Sequence, residues 1–230
     1  SITWTGDADV DLLVEEPAGT ICSLQNPRTS AGGVILGDSY AADSGTSGYT
    51  ETYVCPKGFS GQYRLLVHRV WGKVTAGKVT IPGWPVTTTQ AGAALPGILT
   101  QMGATTELTD KGLTLTGPDR ISGIDINLRD VGELTPVVAA VAALAGSPSR
   151  LRGIGHLRGH ETDRLDALST QLNQLGGSVR AKQNSLRIGP SPLHGGLFET
   201  YDDHRMATAG SVIALRTRGV RIINVDTTRK

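Results

Sequence analysis

Two short segments in the second half of the chain concentrate groups that can bind anions and move protons. One is Arg158-Gly159-His160-Glu161-Thr162-Asp163-Arg164; the other is Tyr201-Asp202-Asp203-His204-Arg205-Met206-Ala207. A planar guanidinium binds two oxygens of a phosphate or carboxylate at once. An imidazole or carboxylate beside it can transfer protons near neutral pH. This inventory suits a small, highly anionic substrate. Both segments fall where a strand-to-helix loop feeds a helix, so the elements around them must bring separate loops together.

The remaining composition narrows the function classes. The chain has 230 residues and a formal net charge of +1. Residues 1–80 hold 6 Lys and Arg against 8 Asp and Glu, leaving 16 against 13 for residues 81–230. Neither balance suggests a nucleic-acid-binding surface. The longest apolar run, Val137 to Ala145, is far too short to span a bilayer, so no membrane insertion is expected. Trp4, Trp71, Trp84, Cys22 and Cys55 all lie in the first 84 residues, which gives the chain two compositionally different parts.

Residues 1–78 read as a small β-sandwich module, because Val10, Leu12 and Val14 alternate with Asp9, Asp11 and Leu13. Tyr63 to His68 and Lys78 to Ile81 are further strands, separated by Gly- and Pro-bearing turns. Residues 79–230 read as α/β and repeat. Leu95, Leu99, Gln101, Met102, Gly103, Leu113 and Leu115 recur 73 positions later as Leu168, Leu172, Gln174, Leu175, Gly176, Leu186 and Ile188. Leu165, Leu168, Leu172 and Leu175 form the apolar stripe of one repeated helix. The unit is β-α-β-α-β-β, present in barely two copies, with the chain starting and stopping partway through one.

The motifs now carry a resemblance. Gly83-Trp84-Pro85 with Thr87-Thr88-Thr89-Gln90, then Gly132-Glu133-Leu134-Thr135-Pro136, then His156 to Arg164 and Asp203-His204-Arg205-Met206-Ala207, occur in order over about 150 residues. Residues from about 77 to 230 resemble the C-terminal portion of the 5-enolpyruvylshikimate-3-phosphate (EPSP) synthases, or 3-phosphoshikimate 1-carboxyvinyltransferases, of actinobacterial type. The resemblance implies a transferase of the shikimate pathway of aromatic amino-acid biosynthesis. It moves the enolpyruvyl group of phosphoenolpyruvate to shikimate 3-phosphate with no metal or other cofactor. It implies Glu133 and Glu161 as catalytic base and proton-transfer group, and His160, Arg164, His204, Arg205 and Lys230 as substrate-binding groups. A chain with only this portion is expected to be inactive alone, since the family closes its site between two lobes.

The front resembles a β-rich module of exported bacterial proteins, through Trp4 to Leu12 and Cys55 to Gly61. The two resemblances meet near Gly77 to Ile81, so the chain reads as a chimera. Asp7, Asp9 and Asp11 share one strand face, where a solvated acidic edge strand is favoured over a calcium site. Two cysteines in a short module of exported type favour a Cys22–Cys55 disulfide over two buried thiols. The transferase portion implies a reducing cytoplasm, and the two parts therefore disagree on compartment. Two function classes compete: a transferase fragment, and a non-catalytic exported β-module with an inert tail.

Overall fold

The computed structural model describes residues 1–5, 8–37, 49–56, 64–72, 76–110 and 112–229. Asp7, Tyr63, Lys230 and the stretch from Lys57 to Gly61 lie outside the described residues. The chain divides into two compact units: Ser1–Val86 with Thr105–Asp119, and Thr87–Ala104 with Arg120–Lys230.

The first unit is built from strands β1 (Ile2–Thr5), β2 (Ala8–Glu15), β3 (Ile21–Cys22), β4 (Val34–Ile35), β5 (Tyr49–Glu51), β6 (Tyr53–Val54), β7 (Arg64–Gly72) and β8 (Ala76–Pro82), with the hairpin β9 (Thr105–Thr109) and β10 (Gly112–Thr116). They form sheets in the orders β5-β1-β8-β10-β9, β3-β2-β7 and β4-β6. Along β2 burial alternates: Ala8, Val10, Leu12 and Val14 point inward and the residues between them are half-buried. Those side chains pack with Ile2 and Trp4 of β1, Cys22 of β3 and Ile35 of β4 in one core. Trp4 stacks on Tyr49 with ring centroids 5.6 Å apart, and its Nε1 donates to the Ala8 carbonyl.

Three features of this unit differ from expectation. The boundary at residue 78 does not separate the units, because β8 pairs antiparallel with β1 on one side and β10 on the other. A strand with two open edges recruits both neighbours, and the β9–β10 hairpin therefore joins the first unit. Second, β2 is the middle strand of its sheet rather than an edge, although β3 reaches only Val14 and Glu15. Further along, the buried carboxylate of Glu51 accepts the Leu12 N–H at 2.5 Å and stands in for a neighbouring strand. Third, Cys22 and Cys55 are thiols, not a disulfide. Each Sγ faces a backbone carbonyl instead, Cys22 that of Pro27 at 3.6 Å and Cys55 that of Ala31 at 3.8 Å.

The second unit shows the repeat. One full β-α-β-α-β-β copy runs through β11 (Asp125–Asn127), α2 (Thr135–Ala143), β12 (Ser149–Arg152), α3 (Arg164–Gln174), β13 (Ser178–Lys182) and β14 (Ser185–Gly189). β11 and β12 are parallel, β12 and β13 each run antiparallel to β14, and the sheet order is β11-β12-β14-β13. The hairpin β13–β14 stands 73 positions after β9–β10, and α1 (Leu95–Gln101) ends 73 positions before α3. A further copy begins with β15 (Gly196–Glu199), α4 (His204–Arg216) and β16 (Val220–Ile223), with β15 and β16 parallel. α2 is apolar on nearly every side, as a central buried helix must be, and packs against α3 and α4. Its alanines let neighbouring helices approach closely. In α4, Gly210 faces the fully buried Phe198 ring so tightly that an added Cβ would lie 2.8 Å from Phe198 Cδ1.

Candidate functional site

Three strand-to-helix connections supply the site. After β11, a 3-10 turn over Arg129–Leu134 carries Glu133 just before α2. After β12, a 3-10 turn over Gly155–Gly159 leads to His160 and Glu161, and Arg164 is the first residue of α3. After β15, His204 and Arg205 open α4. Both arginine-bearing helices start the same way. Asp163 caps α3 by accepting the N–H groups of Leu165 and Asp166, and Asp203 caps α4 by accepting that of Arg205.

The loops are held from outside the site. Arg158 donates to Asp163 Oδ2 at 2.6 Å and to the Lys182 and Gln183 carbonyls, which ties the α3 cap to the β13–β14 turn. Asn184 in that turn accepts the Gly155 N–H. Before α4, Tyr201 and Asp202 both adopt left-handed backbone, with φ of 53° and 57°. Non-glycine residues hold that conformation only when their surroundings dictate it. Here Glu199 accepts the Thr200 and Tyr201 N–H groups, the buried Gln171 donates to the Tyr201 hydroxyl, and Asn224 donates to Asp202.

The side chains converge on Arg164, which is 2% exposed. Its Nε donates to Asp203 Oδ2 at 2.6 Å and its Nη2 to Asp203 Oδ1 at 3.3 Å, while Nη1 reaches Glu133 at 3.4 Å. Glu161 Oε2 lies 3.9 Å from Nη2. Arg205 Nε sits against the Glu133 carboxylate. His160 Nδ1 is 3.6 Å from Glu133, and His204 Nδ1 is 3.3 Å from Glu161. Glu133, Glu161, His160, Arg164, His204 and Arg205 are thus gathered on one surface, with Lys230 outside the described residues. Arg164 and Asp203 form its buried floor; Glu133, Glu161, His160, His204 and Arg205 form its half-open rim.

Burial alone would raise the Asp203 carboxyl, but the Arg164 hydrogen bonds, the Arg205 N–H and the charges of Arg164 and His204 hold it below the usual range. Burial would likewise lower the Arg164 guanidinium, and Asp203, Glu133 and Glu161 more than offset this. Donor atoms of Glu161, Asp203 and His204 lie within 4.8 Å of one another, a spacing a divalent ion could bridge. The Arg164 guanidinium already lies among these carboxylates and supplies the cation there.

Arg158, Asp163 and Asp203 stand inside the two motif segments but have no individual role in the sequence reading, and Gln171 lies outside those segments. Their signal was nonetheless present. Aspartate immediately before a helix with arginine in its first two positions occurs twice, as Asp163-Arg164 and Asp203-His204-Arg205. His156 opens one of the motifs and likewise has no assigned role. Its Nε2 would lie 2.5 Å from a Cβ at Gly132, and its ring meets His160 edge-on at 5.9 Å. A groove of about 380 Å³, lined by Arg129, Asp130, Gly153, His156 and Asn184, opens beside it.

Comparison with known proteins gives one answer. The family profile of EPSP synthase (3-phosphoshikimate 1-carboxyvinyltransferase) matches residues 67–230. A 3-phosphoshikimate 1-carboxyvinyltransferase of Kocuria rhizophila is 54% identical over 156 residues, covering 68% of this chain and 35% of that protein. Two structures of EPSP synthase from Acinetobacter baumannii share the fold, with TM-scores of 0.53 and 0.51 at 24% and 23% identity. They cover 66% and 65% of this chain and 38% of each of those chains. The chain therefore spans little more than a third of the length of the relatives it matches.

Proposed function

The chain belongs to the EPSP synthase family, and from that premise we propose that it carries the C-terminal part of a 3-phosphoshikimate 1-carboxyvinyltransferase site. In this reading it contacts phosphoenolpyruvate and shikimate 3-phosphate but does not turn them over by itself. The observation that carries the proposal is the junction of Glu133, Arg164 and Arg205 at three separate helix starts.

The reaction adds a shikimate hydroxyl across the alkene of phosphoenolpyruvate and then expels phosphate. A proton must reach the methylene carbon while the hydroxyl oxygen bonds to its neighbour, and the hydroxyl must lose its proton. Glu161, steadied by His204, serves as the acid at the methylene carbon and takes a proton back when phosphate leaves. Glu133, beside His160, accepts the hydroxyl proton. Arg205 on the open rim takes the anionic oxygens first; Arg164 orients the carboxylates from below, with Lys230 as a further cation. Glu133 pairs with both guanidiniums, as a substrate anion would. Binding therefore exchanges one anion for another and releases Glu133 to act as base.

Positioning two substrates can supply roughly 7–11 kcal/mol of barrier lowering, and an open half-site does not hold both. Charges there also stay in water, where each contact is weak. Phosphate release from phosphoenolpyruvate in the presence of shikimate 3-phosphate should stay at background with purified chain. Turnover that disappears in Glu161→Gln would instead establish that the chain assembles a complete site.

The transferase part fits a reducing cytoplasm. An exported β-module with an inert tail is not favoured, because the family match begins at residue 67 and runs to the end of the chain. The front module, residues 1–78, and the transferase part are read as two joined segments of different origin.

A further inference from the structure

The outer face of the four-stranded sheet bears a second cationic site, away from the loops just described. Asp125, Arg150, Arg187 and Arg180 are directly opposite one another on β11, β12, β14 and β13. The next row on the same face holds Arg152 and Lys182. Strand alternation sends Leu151, Leu186, Ile188 and Val179 inward, so all three arginines of the first row are exposed. The one acid on the face, Asp125, is engaged by Arg152 at 2.5 Å. Among the described residues, no ion pair is found for Arg150, Arg180 or Arg187.

Three arginines in register across adjacent strands stand about 4.8 Å apart from strand to strand. Like charges placed opposite one another disfavour a sheet, so an anion between them relieves a repulsion the fold otherwise tolerates. The face is also concave there. A cleft of about 410 Å³ is lined by these arginines together with Asp125, Ser178 and Gly189. Gly189 leaves the floor open, and the Ser178 hydroxyl lies over it. The cleft sits at the beginnings of β11 and β12, whereas Glu133, Glu161 and Arg164 follow the ends of those strands. The two sites therefore occupy opposite ends of the sheet.

We propose that this cleft binds a small polyphosphate anion, held by Arg150, Arg180 and Arg187. Guanidiniums in a row favour several linked phosphate groups over a single one, because each fork takes its own pair of oxygens. Single-stranded nucleic acid is the weaker fit, since the face carries no aromatic side chain on which a base could stack.

The test is calorimetric titration of the whole chain with inorganic tripolyphosphate at low ionic strength. Tripolyphosphate should bind more tightly than orthophosphate, and Arg187→Gln should weaken it about tenfold, the loss of one charge-assisted contact. Arg150→Gln should act similarly, while Arg205→Gln, which removes the open cation of the other site, should leave the Arg187-dependent component of the binding in place. Arg187→Gln and Arg150→Gln should keep the parent melting temperature, because both arginines are exposed. Raising KCl from about 50 to about 200 mM should weaken binding further. The proposal is overturned if tripolyphosphate does not bind, if Arg187→Gln binds it as well as the parent, or if only Arg205→Gln abolishes it. It is also overturned if a single-stranded RNA oligonucleotide binds more tightly through the same arginines.

Discussion

Asp203 is the residue on which the site's geometry depends. It is fully buried, receives two hydrogen bonds from Arg164, and caps the helix that presents Arg205. Removing one partner of a buried ion pair leaves the other charge uncompensated, at a cost of roughly 3–5 kcal/mol. Asp203→Asn should therefore lower the stability of the chain by about that amount in urea unfolding. Its pH dependence has a definite sign. The folded-state carboxyl is held below the unfolded value of about 3.9, so its contribution is present above that pH. It is lost as the pH falls through the folded value, and Asp203→Asn should lack this acid-sensitive component. Glu133 matters for ligand binding instead. Its carboxylate competes with an incoming anion for Arg205 and Arg164, so Glu133→Gln should tighten phosphoenolpyruvate binding about threefold, the worth of a half-exposed pair. Unchanged or weaker binding in that variant would argue against the anion exchange.

Helix starts, strands and tight helix contacts set the next scale. Asp163 accepts two N–H groups at the start of α3, and Asp163→Ala should cost about 1 kcal/mol in thermal or urea unfolding. Gly210→Ala would press a methyl into the Phe198 ring, and overpacking of this kind costs roughly 1–3 kcal/mol. An unchanged melting temperature would show that α4 moves aside freely. The repeat was legible at this scale, because its spacing of 73 lies in apolar residues whose partners are the inward faces of equivalent helices and hairpins. The participation of Asp163 and Asp203 was only half legible. Each stands as an ordinary polar residue before a helix, and only the structure shows the Arg164 guanidinium closing over Asp203. The exposed row of arginines was illegible, since strand register across β11, β12, β14 and β13 decides which charges meet.

On the scale of the whole molecule, the junction of the two parts was the feature least accessible to sequence reasoning. A boundary near residue 78 follows from composition, yet β8 takes partners from both sides of it. Backbone edges seek hydrogen bonds whatever the origin of the neighbouring strand, and that information is not carried by side-chain patterning. The cysteines were misjudged for a related reason: a disulfide was inferred from residue type and context, whereas each thiol is turned toward a carbonyl. The central claim is that the loops after β11, β12 and β15 form one anion half-site whose open cation is Arg205. Calorimetric titration of phosphoenolpyruvate into the whole chain, and into Arg205→Gln, tests it most directly. Weak binding that is suppressed by salt and lost in the variant is the predicted result. Binding of equal strength in both proteins, or none to the parent at millimolar concentration, would contradict it.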